Sequence, residues 1–384
     1  MARKLRMGMI GGGPGSFIGR IHRIAAELDG EAQLVCGAFS SDAGRSRDAG
    51  EAYHVDPSRA YASFTEMLER EKALPSDQRM DFVAIVTPNH LHYEPARRAL
   101  ESGFHVVVDK PMCFSLQEAQ ALQEIVASTG RILGVTYTYS GYPMVKEARA
   151  LVAAGRIGIV RKIYVEYPQG WLSTAVEREG QKQAAWRTDP TRSGAGGAIG
   201  DIGTHAAHLA EYVSGLRITA INAVLNTFLP GRQLDDDSSM LLRFENGASG
   251  TLVATQVAAG EENNLRLRVY GDEGGLDWQQ SEPNSLLLRS LDAPTQLLRA
   301  GWGYLSEAAA ANSRTPPGHP EGYLEAFANI YAGFFKAVRD LASDPNVDMG
   351  RYDFPDVDDG ARGMAFIDTV IRSAQSDKKW TAFA

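Results

Sequence analysis

The feature that most constrains this chain is a run of glycines wedged between an apolar strand and a helix. Residues 6–10 read as a strand. Gly11-Gly12-Gly13-Pro14-Gly15-Ser16-Phe17-Ile18-Gly19 follows, and residues 18–28 carry the apolar spacing of a helix. Glycine lets backbone amides come close to a pyrophosphate, and the helix N-terminus adds partial positive charge. The strict Gly-x-Gly-x-x-Gly spacing is not met: Gly11 and Gly13 are in place, but Ser16 stands at the third position and the next glycine is Gly19. The turn is therefore lengthened, by about three residues. A plain tight turn would fit the same residues. The strand-then-helix context favours dinucleotide binding, with Gly11, Gly13, Pro14, Gly15, Ser16, Phe17 and Ile18 as the phosphate-facing set.

Strand and helix signals then alternate. Residues 33–39 form a second strand, 64–74 a helix with Met67, Leu68 and Leu74 on one side, and 82–86 a buried strand. A helix over 93–102 closes at Gly103, and 105–108 is a short strand. Ser115 with Glu118 makes a capping box for a helix that stops at Gly130, and 131–135 ends the series. Such alternation implies a parallel, doubly wound sheet covered on both faces. Beyond it the pattern changes. Residues 161–167 read as a strand with one exposed face. Residues 240–245 and 248–257 flank Asn246-Gly247, the strongest short hairpin signal, and 265–270 and 276–279 flank a glycine-rich turn. Residues 321–341 and 359–373 read as helices. The expected fold is α/β: a Rossmann doubly wound domain over 1–135, then an α+β domain over 136–384 with a large, open, mainly antiparallel sheet.

Composition excludes several classes. With 384 residues and a net charge of −8, the chain is long enough for two cores and too acidic for a phosphate-backbone surface, so no nucleic-acid partner is expected. No apolar run approaches the roughly 18 residues of a membrane helix. Glycines interrupt the N-terminal apolar region, so no export signal is expected. Cys36 and Cys113 are too few for a disulfide framework or a zinc site, and a cytoplasmic location fits.

Two motifs sit at C-terminal strand ends, where open α/β sheets bind ligands. Thr87-Pro88-Asn89-His90-Leu91-His92 follows the strand at 82–86, and Asp109-Lys110-Pro111 follows the strand at 105–108. A third motif, Gly196-Gly197-Ala198-Ile199-Gly200-Asp201-Ile202-Gly203-Thr204-His205, sets Asp201 and His205 at i and i+4 if residues 199 onward are α-helical. At the end of the second strand, Ser40, Ser41 and Arg45 leave the ribose selector open between NAD and NADP, and Asp42 stands late for the usual acid.

Taken together, the glycine turn with His22, Thr87-Pro88-Asn89 with His92, Lys110-Pro111, and Asp201 with His205 resemble the Gfo/Idh/MocA family of NAD(P)-dependent oxidoreductases. The resemblance covers nearly the whole chain. It implies Lys110, Asp201 and His205 as the catalytic set. It also implies NAD as cofactor, held near Thr87, Pro88, Asn89, His92, Asp109 and Lys110, and a homo-oligomer, expected to be a tetramer. Two departures stand out: Asp109 replaces the family's usual Glu, and the glycine turn is long. A narrower likeness, through residues 164–171, 185–187 and 318–323, is to the scyllo-inositol dehydrogenases that also oxidise L-glucose. It implies substrate contacts from Arg187, Asp201, His205 and His319, with Trp171 against the sugar face.

The expected chemistry is oxidation of a secondary alcohol of a cyclitol or pyranose. His205 would be the base, Lys110 the partner of the developing alkoxide, and Asp201 an orienting acceptor. Each has a plainer alternative. Lys110 is a surface lysine, Asp201 a helix N-terminal acid, Arg187 a salt-bridge residue, Asn89 a cap, Trp171 core, and His319 an exposed turn residue. A metal is not expected, because no further ligand pattern accompanies His205, His208 and Asp201. A cofactor-retaining oxidoreductive glycosidase and a non-catalytic nucleotide sensor are the competing functions.

Overall fold

Five parallel strands form the first sheet, in the order β2-β1-β3-β4-β5. They are β1 (Leu5–Gly11), β2 (Ala32–Ala38), β3 (Phe82–Val86), β4 (His105–Val108) and β5 (Leu133–Val135). This is a computed structural model, and it describes residues 3–13 and 15–383. Every residue of β3 and β4 is buried, because helices cover the sheet on both sides and leave no face for alternation. The connecting helices begin where short polar side chains cap them. Ser16 caps Phe17–Glu27, Asp42 caps Ala43–Ala52, Ser63 caps Phe64–Ala73 and Ser115 caps Leu116–Thr129. Ser115 Oγ accepts from Glu118 N–H at 3.2 Å as expected, while the Glu118 carboxylate accepts from Phe114 N–H, one residue before the cap, rather than from Ser115 N–H; Gly130 closes the helix at φ 61°. The order of strands reverses between β1 and β3, so the ends of these two strands flank the crevice of an open α/β sheet.

The chain divides into two compact units. One holds residues 1–138 and 327–361, the other 139–326 and 362–384. Residues 327–361 thus join the parallel sheet, although nothing in the strand–helix alternation announces this return. The joining is aromatic. Phe334 and Phe335 lie 5.4 and 5.5 Å from the Phe82 ring, and Phe327 meets His22 edge-on at 4.8 Å. β5 is extended by Val135 N–H donating to the Pro355 carbonyl at 2.8 Å.

The second unit is built on a nine-stranded sheet, ordered β13-β12-β11-β10-β6-β9-β8-β7-β14. Its strands are β6 (Lys162–Pro168), β7 (Ile218–Asn226), β8 (Asp237–Phe244), β9 (Ser249–Thr255), β10 (Arg266–Tyr270), β11 (Gly274–Gln279), β12 (Ser285–Ser290), β13 (Gln296–Arg299) and β14 (Thr381–Ala382). All neighbours run antiparallel except β6 and β9. The Asn246-Gly247 turn joins β8 to β9, with Gly247 at φ 88°. β8 alternates cleanly: Ser238, Met240, Leu242 and Phe244 point inward, Leu241 and Arg243 outward. The helices Pro143–Ala153 and Thr204–Ser214 cover the inner face.

One local expectation is corrected. Residues 199–203 are not α-helical but form a wide π-turn, in which Thr204 N–H bonds the Ile199 carbonyl; the α-helix begins at Thr204. Asp201 and His205 therefore lie on different kinds of turn. π-turns inside helices are frequently found at functional sites. Among the described residues no helix is long and apolar enough to cross a membrane.

Candidate active site

The glycine turn at the end of β1 is built for close backbone approach. Gly11, Gly12 and Gly15 sit at φ 82°, 74° and 88°, a region that side chains disfavour. A Cβ on Gly19 would overlap the Gly12 backbone, so this glycine sets how closely helix Phe17–Glu27 approaches the turn. Ser16 N–H donates to the Gly13 carbonyl at 3.0 Å, and Ser16 Oγ accepts from Gly19 N–H at 3.2 Å. The Tyr53 hydroxyl donates to the Gly12 carbonyl at 2.6 Å, a latch not visible in the motif itself. No acid stands in the first turn of the helix, so no carboxylate of that turn competes for its positive end. Phe17 is largely exposed and Ile18 half-buried. The open, amide-rich turn fits a dinucleotide. Pro14 lies outside the described residues.

At the end of β2, Asp42 is already engaged. Its Oδ1 accepts from Arg45 N–H at 2.8 Å, which holds the carboxyl below its usual range, and the Arg45 guanidinium lies 4.0 Å away. Ser40 Oγ accepts from Asp42 N–H at 3.2 Å, and Ser41 and Arg45 are solvent-facing. Asp42 is thus the N-cap of its helix.

The loops after β3 and β4 are stapled together by His92. Its ring is buried, with Nδ1 2.9 Å from the Pro111 carbonyl and Nε2 2.7 Å from the Thr87 carbonyl. A neutral imidazole carries one N–H, so two carbonyls compete for it. Burial pushes its pKa down, while Asp109 pulls the other way. His92, expected near the cofactor, turns both ring nitrogens to these carbonyls and fixes the two loops. Thr87 Oγ1 donates to the Leu91 carbonyl at 3.0 Å, Pro88 is half-buried and Asn89 is buried. Asp109 Oδ1 accepts from Lys110 N–H at 2.9 Å and from Thr136 Oγ1 at 2.8 Å, so the shorter acid braces its own loop. Lys110 is half-buried and its bond to Pro111 is cis. His22 is structural: Nδ1 meets the Tyr331 hydroxyl at 2.7 Å, and burial drives its pKa to about 4.

In the second unit a continuous polar cluster surrounds Asp201. Asp201 Oδ2 accepts from Arg187 Nε at 3.2 Å and from Gln256 Nε2 at 2.8 Å. The Arg187 guanidinium lies over Trp186 at 4.3 Å and near Trp171 at 5.9 Å. Gln169 Oε1 accepts from Gln256 at 3.2 Å and from Trp171 Nε1 at 3.0 Å, and Gln169 Nε2 donates to Asn263 Oδ1 at 2.5 Å. The Tyr167 hydroxyl also donates to Asn263 Oδ1, at 2.7 Å. The Tyr139 and Tyr167 hydroxyls are also hydrogen-bonded to each other. Burial raises both phenols' pKa values, which keeps them protonated. The Tyr139 ring stands edge-on to His205 at 4.9 Å, and His205 is 7% exposed.

The cluster gathers Trp171, Arg187, Asp201 and His205, four of the substrate-side residues read from sequence. It adds Gln169, Gln256, Asn263, Tyr139 and Tyr167. Of the added set, Tyr167 and Gln169 fall in the 164–171 stretch that carried the narrower likeness, whereas Gln256 was read inside the strand run at 248–257, which in the structure ends at Thr255, and Asn263 carried no signal. His319 lies in an exposed turn, its Nδ1 3.3 Å from the Pro316 carbonyl, and joins none of the hydrogen bonds that link the described residues of the cluster.

A glycine turn at the mouth of a parallel sheet, and a second unit carrying a buried His–Asp cluster beside an open sheet, define a dinucleotide-dependent enzyme of the oxidoreductase class. The family model for an oxidoreductase family with an NAD-binding Rossmann fold matches residues 5–137, and that for the GFO/IDH/MocA C-terminal domain matches residues 145–277. An uncharacterised oxidoreductase of Bacillus subtilis is 34% identical over 100% of this chain and 98% of its own. Crystal structures of an inositol dehydrogenase homologue from Azotobacter vinelandii overlay with TM-scores of 0.96 (with NAD+) and 0.93 (with NADH and myo-inositol). They are 35% and 34% identical, and each covers 100% of this chain and 98% of that one. Levoglucosan dehydrogenase of Pseudarthrobacter phenanthrenivorans is 26% identical over 98% of both chains. The chain belongs to the Gfo/Idh/MocA family: it is an NAD-dependent oxidoreductase.

Proposed function

We propose that the chain oxidises a secondary hydroxyl of a cyclitol or pyranose, with His205 taking the hydroxyl proton. The observation that carries this reading is the Asp201 cluster. A carboxylate held on one oxygen by Arg187 and Gln256, beside a buried imidazole and two aromatic planes, suits a neutral polyol that offers hydroxyl donors and an apolar ring face. Relatives that act on or bind such molecules support it.

NAD, when bound, accepts the hydride that leaves the carbinol carbon. The chain's residues do the rest. His205 removes the hydroxyl proton; such general-base help is worth about 10²–10⁴ in rate. Lys110 donates to the oxygen as it gains charge. Asp201 accepts from a neighbouring hydroxyl and fixes the ring's orientation. The backbone amides among residues 11–13 and 15–18 and the loops after β3 and β4 hold the cofactor. Tyr164, Val224 and Leu241 on the exposed face of the nine-stranded sheet support association of several copies, which mass photometry reads directly.

The test is NAD reduction followed by absorbance with myo-inositol, scyllo-inositol and free pyranoses. Multiple turnovers, reduced at least a hundredfold in His205→Ala, are expected. A His205→Ala enzyme within twofold of wild type contradicts the assignment.

A further inference from the structure

Asp235, on the segment that leads into β8, grips the start of the helical turn that carries Asp201. Its Oδ1 accepts from Gly197 N–H at 2.6 Å and its Oδ2 from Ile199 N–H at 2.8 Å. Its main-chain carbonyl accepts from Ala198 N–H at 2.9 Å. One residue, distant in sequence, therefore holds three consecutive amides. The fit is close: a Cβ on Gly197 would strike the Asp235 carbonyl, which explains a glycine there. Asp201 N–H then bonds the Gly197 carbonyl at 2.9 Å, and the π-turn over Ile199–Gly203 follows.

We propose that Asp235 is a positioning residue, whose ionised carboxylate fixes where the π-turn begins and thereby where Asp201 and His205 stand. This rests on the reading of Asp201 and His205 given above.

The surroundings make the grip sensitive to acid. Asp235 is buried and, among the described residues, its carboxylate is held by amides and by no cation. The adjacent Asp236 carboxylate is itself paired with Arg232 at 3.3 Å, and Arg232 is also bound by Glu177 at 3.1 Å. Arg187, Arg232, Asp236 and Gln256 line the same small cavity as Asp235, and Asp201 and His205 follow on the turn that it holds. Burial, reinforced by Asp236 and opposed by the amides, raises the Asp235 pKa to about 6. A protonated carboxyl keeps one good acceptor oxygen and turns the other into a donor, which faces an N–H. One of the two side-chain bonds is then lost.

The experiment compares wild type and Asp235→Asn from pH 5 to 8.5, with NAD and myo-inositol as substrates. The amide mimics the protonated acid. At pH 8, kcat/KM should fall about 10- to 100-fold in Asp235→Asn, with the Kd for NAD within twofold. At pH 5 most of the wild type should have lost the same bond, so the ratio of the two enzymes should shrink by about five- to tenfold from its value at pH 8. A ratio within twofold at pH 8, or one that stays constant with pH as a general structural defect would produce, overturns the proposal. A second measurement needs neither a folded variant nor turnover. Hydrogen exchange of residues 195–204 in the wild type, corrected for intrinsic rates, should lose protection as pH falls through about 6; unchanged protection overturns the grip itself. Failure of the functional reading looks different: His205→Ala and Asp201→Asn would keep full activity, or NAD would not be reduced at all.

Discussion

Gln256→Met removes a 2.8 Å hydrogen bond to Asp201 together with a weaker one to Gln169. Gln256 is 2% exposed, and its Nε2 lies 2.8 Å from Asp201 Oδ2 and 3.2 Å from Gln169 Oε1. Methionine has similar length and volume and no donor, so no cavity opens. A hydrogen bond to a charged acceptor contributes about 1.5–3 kcal/mol, and about 1.4 kcal/mol is tenfold. Arg187 still donates to Oδ2, at a longer 3.2 Å, which places the expectation at the lower end. We expect kcat/KM for the polyol to fall about 10- to 30-fold, with the Kd for NAD unchanged. Gln256→Glu sharpens the test. Two carboxylates at that separation cannot both ionise cheaply, so one takes a proton. That variant should be worse than Gln256→Met at pH 8 and should recover as pH falls toward 6. Steady-state kinetics over pH and calorimetry for NAD read both effects. A Gln256→Met enzyme within twofold of wild type, or a Gln256→Glu enzyme with a wild-type pH profile, would refute the idea that this amide orients Asp201.

The glycine turn predicts that Gly19→Ala weakens NAD binding at least about fivefold, because its Cβ meets Gly12 and the turn must open, a strain of about 1–3 kcal/mol; unchanged calorimetric affinity would contradict this. His22 and His105 predict acid sensitivity of the fold. Burial lowers both pKa values to about 4, whereas the unfolded chain takes these protons near pH 6.5. Between those limits the unfolded state binds more protons, so stability falls as pH falls, by about 2 kcal/mol per histidine at pH 5. Urea midpoints at pH 7.5 and 5 should show the loss, and His22→Gln should show less of it; an equal loss in the variant would remove His22 as a cause.

Much of the fold was legible because local chemistry writes it. Ser115, Gly130, the Asn246-Gly247 hairpin and the all-apolar run at 82–86 each specify their element from neighbours in sequence. The π-turn over 199–203 was not legible, since it is set by Asp235, some 36 residues away. Nor was the joining of residues 327–361 to the parallel sheet, which depends on Phe82 meeting Phe334 and Phe335. The motif residues Asp201 and Arg187 were found because they sit in recognisable runs. Their supports Gln256, Gln169 and Asn263 come from separate strand ends and loops, and only the folded chain brings them together. His92 was placed near the cofactor by the resemblance and by its motif at a strand end. Its ring nitrogens are committed to Thr87 and Pro111 by a loop pairing that no linear spacing displays.

The most direct test of the account is absorbance of reduced nicotinamide with purified protein, NAD and a panel of inositols and free sugars, run beside His205→Ala and Asp201→Asn. The account predicts many turnovers with at least one cyclitol or pyranose and a loss of at least about a hundredfold in His205→Ala. Turnover that survives both substitutions, or a protein that binds NAD yet reduces none with any polyol, would contradict it.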